Sequence, residues 1–218
     1  MSEFFIANVS LGKLNAMVKN LSSQLGETNP NEVVRLVNAG SVQVERLLSK
    51  WTEENGVITF ELTNNGWTGE EWITSLEASG HDLNYYAKQL LRSEDFKPSP
   101  AGDTLTIKVL KGELFSDEER RTDNIRAEAN RREYQVSNAE IACLIREKFS
   151  NAELKKMGLY GIVAMHEPIN DSDGDPSLLG ADRDGGESWL GAYDGRPDSQ
   201  WYRGDGFAFV GSQVSAES

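Results

Sequence analysis

Cysteine, histidine and long apolar runs are all scarce in this chain of 218 residues, and each scarcity excludes something. Cys143 is the only cysteine, so no intramolecular disulfide can form and no zinc cage built on several thiolates is available. With two histidines, His81 and His166, no paired-histidine metalloprotease spacing exists. No apolar stretch approaches the roughly 18 to 20 residues that a membrane-spanning helix needs, and the opening MSEFFIANVSLGK has no cationic leader followed by an apolar segment. A cytoplasmic protein with no membrane partner is expected. Glycine-rich phosphate and dinucleotide loops are missing too, which disfavours phosphoryl transfer and hydride transfer.

Positive charge is the other shortage. Against 35 acidic side chains there are 22 basic ones, a net charge of −13, so the mean field repels nucleic acids and anionic lipids. The deficit is localised. Between Glu167 and Asp205 ten acids face only Arg183, Arg196 and Arg203. The arginines at 120, 121, 126, 131 and 132 are interleaved with acids around one predicted helix and form no segregated phosphate-tracking face. Nucleic acid is accordingly a disfavoured partner.

Apolar residues at helical spacing (Leu11, Leu14, Met17, Val18, Leu21, Leu25), an Asn29-Pro30 start and a third short stripe at Val44, Leu47 and Leu48 predict three N-terminal helices. From Val57 to Leu62, and again at Leu105, Ile107 and Val109, the period is two and predicts strands. Capping-box spacings at Thr68/Glu71, Ser116/Glu119, Ser137/Glu140 and Ser150/Glu153 predict helices after each. Leu159 to Ile169 reads as a strand. NDSDGDPSLLGADRDGG then reads as a long acidic loop, and Ser188–Tyr193 and Gly206–Val210 as a closing pair of strands. The expected fold class is α+β: a helical N-terminal subdomain over 1–52, then an α+β domain over 53–218 with a mixed middle and a small antiparallel meander at its end.

The string MHEPINDSDGDPSLL, followed by a Trp-Leu strand, a second Trp and GFAFV, resembles a family of bacterial proteins that repeat this ending and have no assigned activity. LLRSEDFKP, VLKGELFSDEER, NIRAEANRR and AEIACLIREKF extend the likeness upstream. The resemblance implies one coherent folded unit and carries over no catalytic residue.

Three chemistries are open to the residues present. Asp171, Asp173 and Asp175 alternate in a turning segment, with Asp182 at the twelfth position counted from Asp171, a pattern that can present oxygen donors to Ca²⁺ or another divalent cation. Pro176 at the sixth position, where an EF-hand needs Gly, and flanking strands argue against an EF-hand. If His166 faced that loop, His166, Asp171, Asp173 and Asp175 could instead hold a metal for hydrolysis. Trp201 and Tyr202, in a turn among carboxylates, are candidates to bind sugars, cations or basic peptides. Cys143, among aliphatics, reads as a small hydrophobe. The leading expectation is a non-enzymatic acidic interaction protein that binds a basic protein partner, with a cation ordering the loop as an option. The alternatives are a divalent-metal-dependent hydrolase and a self-assembling structural protein that associates through its N-terminal helices.

Overall fold

Asn55 and Gly56, at φ 50° and 74°, close a two-residue hairpin between β1 (Thr52–Glu54) and β2 (Val57–Thr63), since such a turn requires left-handed backbone at both positions. The computed structural model describes Asn29, Glu32, Arg35, residues 50–184 and residues 186–211. The chain divides into two units, Met1–Lys50 and Trp51–Ser218. Glu32 and Arg35 of the first unit are helical; the rest of the three expected N-terminal helices lie outside the described residues.

The second unit holds β3 (Asp82–Leu83), β4 (Thr104–Lys111), β5 (Gly161–Ala164), β6 (Ile169–Asn170), β7 (Pro176–Asp184), β8 (Glu187–Asp194) and β9 (Asp205–Val210). Its helices are α1 (Gly69–Ala78), α2 (Tyr85–Arg92), α3 (Thr122–Arg131), α4 (Glu140–Lys148) and α5 (Asn151–Lys156). The strands form one sheet in the order β1-β2-β4-β9-β5-β7-β8-β3, with β6 added to the start of β7. It is mixed: β9 runs parallel to β5 and β3 parallel to β8, and the other pairs are antiparallel.

This overturns the expected architecture. The closing strands are not a small antiparallel meander. β9 is inserted between β4 and β5 in the middle of a nine-stranded sheet, and the described helices lie between strands in sequence. The acidic segment after Asn170 is mostly a nine-residue strand, β7. The helix expected to start at Ser116 begins at Thr122, because Ser116–Arg120 makes a turn in which the buried Arg120 guanidinium donates to the carbonyls of Gly112 and Phe115.

Two apolar layers cover the sheet. On one face Ile58, Phe60, Ile107, Val109, Ile162, Leu179, Ala181 and Leu190 pack beneath helices α1, α2, α4 and α5. Both capping boxes that open α1 and α5 have their two hydrogen bonds in place. Glu140, by contrast, turns inward: its fully buried carboxylate accepts from the amides of Asn65, Gly66 and Ser99 and ties two loops to the start of α4. On the other face Val57, Leu110, Val163, Leu178, Phe207 and Phe209 pack against Ile125 and Ala129 of α3 and against Trp201. This second layer is smaller, and it ends over the C-terminal half of β7.

Candidate functional site

Where the second layer ends, a cleft of about 440 Å³ opens on the sheet. Strand alternation builds it. In β7, Leu179 and Ala181 point to the helical layer, so Leu178, Gly180, Asp182 and Asp184 share the opposite face. The register aligns Asp205 of β9, Gly161 of β5, Asp182 of β7 and Trp189 of β8 in one row across the sheet. In the next row stand Phe207, Val163, Gly180 and Gly191. Glycine at 161 and 180 removes the side chains that would fill the floor. A Cβ on Gly161 would come within 2.7 Å of the Asp182 Cβ, and one on Gly180 within 2.9 Å of the Tyr193 ring.

Aromatic rings wall this floor. Tyr193 lies across Gly180 and Gly191 and meets Trp201 at 6.1 Å between centroids. Trp201 is fixed by a 2.9 Å hydrogen bond from its indole Nε1 to Thr122 Oγ1 and by an edge contact with Phe207. Tyr160 and Tyr202 stand at the mouth, Tyr202 with 78% of its surface exposed. The turn that carries Tyr202 is held by its amide, which donates to Asp205 Oδ2 at 2.9 Å.

Asp182, Asp184, Asp194 and Asp205 also line the cleft, and among the described residues Arg183 is its only lining cation. Arg183 is already engaged: its Nε donates to the Leu159 carbonyl at 2.8 Å and its guanidinium lies 5.1 Å from the centre of the Tyr160 ring. Arg196 pairs with Asp194 at 3.0 Å. Asp182 is different. Loss of water raises its pKa to about 6; Arg146, which donates to the Asp182 backbone carbonyl, pulls the other way, and Asp184 and Asp205 add to the rise. Among the described residues no hydrogen bond or ion pair holds its carboxylate. Burial also lifts the Asp205 carboxyl above its ordinary range. The row therefore holds two desolvated carboxylates about 9.5 Å apart at Cα, two strand spacings with only Gly161 between them.

The residues singled out from sequence fall in two places. Asp171, Asp173 and Asp175 form a tight turn between β6 and β7 that leans on α2. Asp171 Oδ1 accepts from the amides of Asp173 and Asp175 at 2.9 and 3.0 Å, Tyr86 donates to Asp173 at 3.2 Å, and Asp175 pairs with Arg196. Asp182 lies seven residues beyond Asp175, along an extended strand that carries it roughly 20 Å away into the cleft. Among the described residues no group of three or more His, Cys, Asp and Glu is placed to hold a metal ion. His166 is only 2% exposed, with Nδ1 2.6 Å from the Glu167 carbonyl and Nε2 accepting from the Leu179 amide at 2.9 Å. Both nitrogens are used inside the fold, and burial lowers its pKa to about 4. The Cys143 thiol is buried in α4 and pushed well above its ordinary value by desolvation.

Trp201, Tyr202 and Asp182 are thus gathered around one cleft, while the three loop aspartates lie outside it. Sequence reading did not single out Tyr160, Gly161, Gly180 or Asp205 for the site. The signal that could have found them is glycine and aspartate at alternate positions of β-branched or aliphatic segments, which marks a strand face that is not packed.

No family model matches the chain, and neither a curated protein nor a solved structure matches it.

Proposed function

We propose that the protein is a non-catalytic binding module of the cytoplasm whose acidic, aromatic cleft receives a cationic side chain of a basic protein partner. The observation that carries this reading is Asp182: a desolvated carboxylate beside aromatic walls, bonded by no cation or hydrogen-bond donor among the described residues. Among the described residues only the Arg146 charge, which bonds the backbone carbonyl and not the carboxylate, offsets this group, and an incoming cation would supply a direct partner. Tyr193, Trp201 and Tyr202 add faces and edges that attract cations and cover the aliphatic stem of a long basic side chain. The surrounding excess of acids, ten against three bases from 167 to 205, would speed encounter with a positively charged partner and weaken in salt. The reading needs no metal in the 171–175 turn, and with both His166 nitrogens engaged we assign that residue no hydrolytic role.

Titration calorimetry with a short basic peptide, on the protein and on Asp182→Asn, tests this. Binding that weakens roughly tenfold in the variant, about 1.4 kcal/mol, is expected. No heat of binding at low ionic strength, or equal affinity of the two proteins, would overturn it.

A further inference from the structure

Three features of the cleft suit a planar cation better than a compact one. First, its two desolvated acceptors, Asp182 and Asp205, stand on the same sheet face two strands apart, with no side chain between them because residue 161 is glycine. A guanidinium fans five donors in one plane and can reach both acceptors, whereas an ammonium is a point charge that satisfies one and sheds its water less readily. Second, the walls are aromatic. Tyr193 lies across the glycine pair 180/191, Trp201 tilts 54° from it, and the exposed Tyr202 stands at the mouth. Flat faces of this kind stack on a guanidinium and gain less from a tetrahedral ammonium. Third, the same rim already carries an arginine in this arrangement, since the Arg183 guanidinium sits over Tyr160 while its Nε–H meets a backbone carbonyl.

We infer that the cleft selects arginine over lysine, taking the guanidinium of a basic partner segment between Asp182 and Asp205 and against Tyr193 and Tyr202. This rests on the reading of the cleft as a cation site and adds the identity of the cation. Asp182 and Asp205 supply the acceptors. Gly161 supplies the space between them, and Tyr202, which has no packing role at 78% exposure, supplies a stacking face at the entrance.

The test uses two short Gly/Ser peptides of equal charge with arginine or lysine at the same positions, titrated into the full-length protein at physiological ionic strength and followed by Trp fluorescence. The arginine peptide is expected to bind about fivefold or more tightly than the lysine peptide. Tyr202→Ala, chosen because its surface position leaves the fold intact, is expected to shrink that preference. Asp182→Asn is expected to weaken both peptides. Equal binding of the two peptides would overturn arginine selection and leave the cation reading standing. Binding of neither would overturn both. An arginine preference unchanged in both variants would mean that it arises elsewhere on the acidic surface, which also overturns the assignment.

Discussion

Replacing Asp182 with Asn should stabilise the protein while weakening its binding, a combination that a structural aspartate would not produce. The carboxylate sits in the cleft with no hydrogen-bond donor among the described residues, and its pKa rises from 3.8 to about 6. A raised folded-state pKa means that the folded protein favours the protonated form. The stabilising contribution is fully present below the unfolded value of 3.8 and is lost as pH rises through about 6. A shift of roughly two units corresponds to about 3 kcal/mol at full desolvation. Asp182 still meets water along the cleft, and screening there leaves about 1 to 2 kcal/mol. Asparagine keeps the shape and removes the charge. At about pH 7.5 the variant should therefore be more stable by about 1 to 2 kcal/mol, a rise of roughly 2 to 6 °C in Tm for a unit of this size. Below about pH 4 the two proteins should be equal. Urea unfolding followed by Trp fluorescence is the appropriate assay, because all five tryptophans, at 51, 67, 72, 189 and 201, lie in the second unit. A variant less stable than the parent at neutral pH would show that the carboxylate has a partner within the fold, and would refute the reasoning.

Other consequences follow from the packing. His166→Gln, which keeps an acceptor for the Leu179 amide but cannot titrate, should remove the part of the acid destabilisation that arises between about pH 6.5 and pH 4, measured by urea midpoints across that range. Gly69→Ala should destabilise by more than about 2 kcal/mol in the same assay. A Cβ there falls inside the Leu91 carbonyl where α1 meets α2, and the gain of about 1 kcal/mol in helix propensity is too small to offset separating the helices. Glu140→Ala should cost about 3 to 5 kcal/mol and speed hydrogen exchange at the amides of Asn65, Gly66 and Ser99, which lose their acceptor. Tyr202→Ala should leave urea stability within about 0.5 kcal/mol of the parent, because the side chain is exposed.

Local signals in the sequence were legible where a residue's role was decided by its neighbours in the chain. The alternation at 57–62 and 105–109 became β2 and β4, and the cap pairs Thr68/Glu71 and Ser150/Glu153 became capping boxes. Ser137/Glu140 has the same spacing and did not, because Glu140 meets three amides from distant loops and Ala139 takes the cap position. No local pattern carries that information. Strand order was equally hidden: nothing near Gly206–Val210 indicates that these residues pair with β4 and, in parallel, with β5.

β7 shows why a strand reads as a loop in this sequence. Its residues Pro176–Asp184 carry aliphatics toward the helices but Gly180, Asp182 and Asp184 toward the cleft. Glycine and aspartate are loop formers by propensity, so a strand whose one face lines an open cleft has the composition of a loop. The aromatic residues were visible as a cluster, yet which of them pack and which are offered outward depends on the turn that buries Trp201 to 7% exposure and leaves Tyr202 at 78%.

The two titrating groups of opposite sign make a last, combined expectation. His166 is buried and neutral in the folded chain, its pKa lowered from 6.5 to about 4 chiefly by desolvation. Unfolding lets it take up a proton, so the stability it supports is present above about pH 6.5 and is lost as pH falls toward 4, by up to about 3 kcal/mol. Asp182 acts in the other direction over nearly the same interval, because protonation relieves its unpaired charge and returns about 1 to 2 kcal/mol as pH falls from about 6 to 3.8. In the parent protein the two partly cancel, which leaves a shallow acid limb of about 1 to 2 kcal/mol from this pair. Asp182→Asn removes the compensation, so the variant should begin more stable at neutral pH and then fall more steeply, meeting the parent near pH 4. His166→Gln should do the reverse, starting nearer the parent and losing less stability than the parent on mild acidification. If the two single variants do not depart from the parent's slope in opposite directions between about pH 6.5 and pH 4, then either the cleft carboxylate or the buried imidazole is not in the electrostatic state that its surroundings impose.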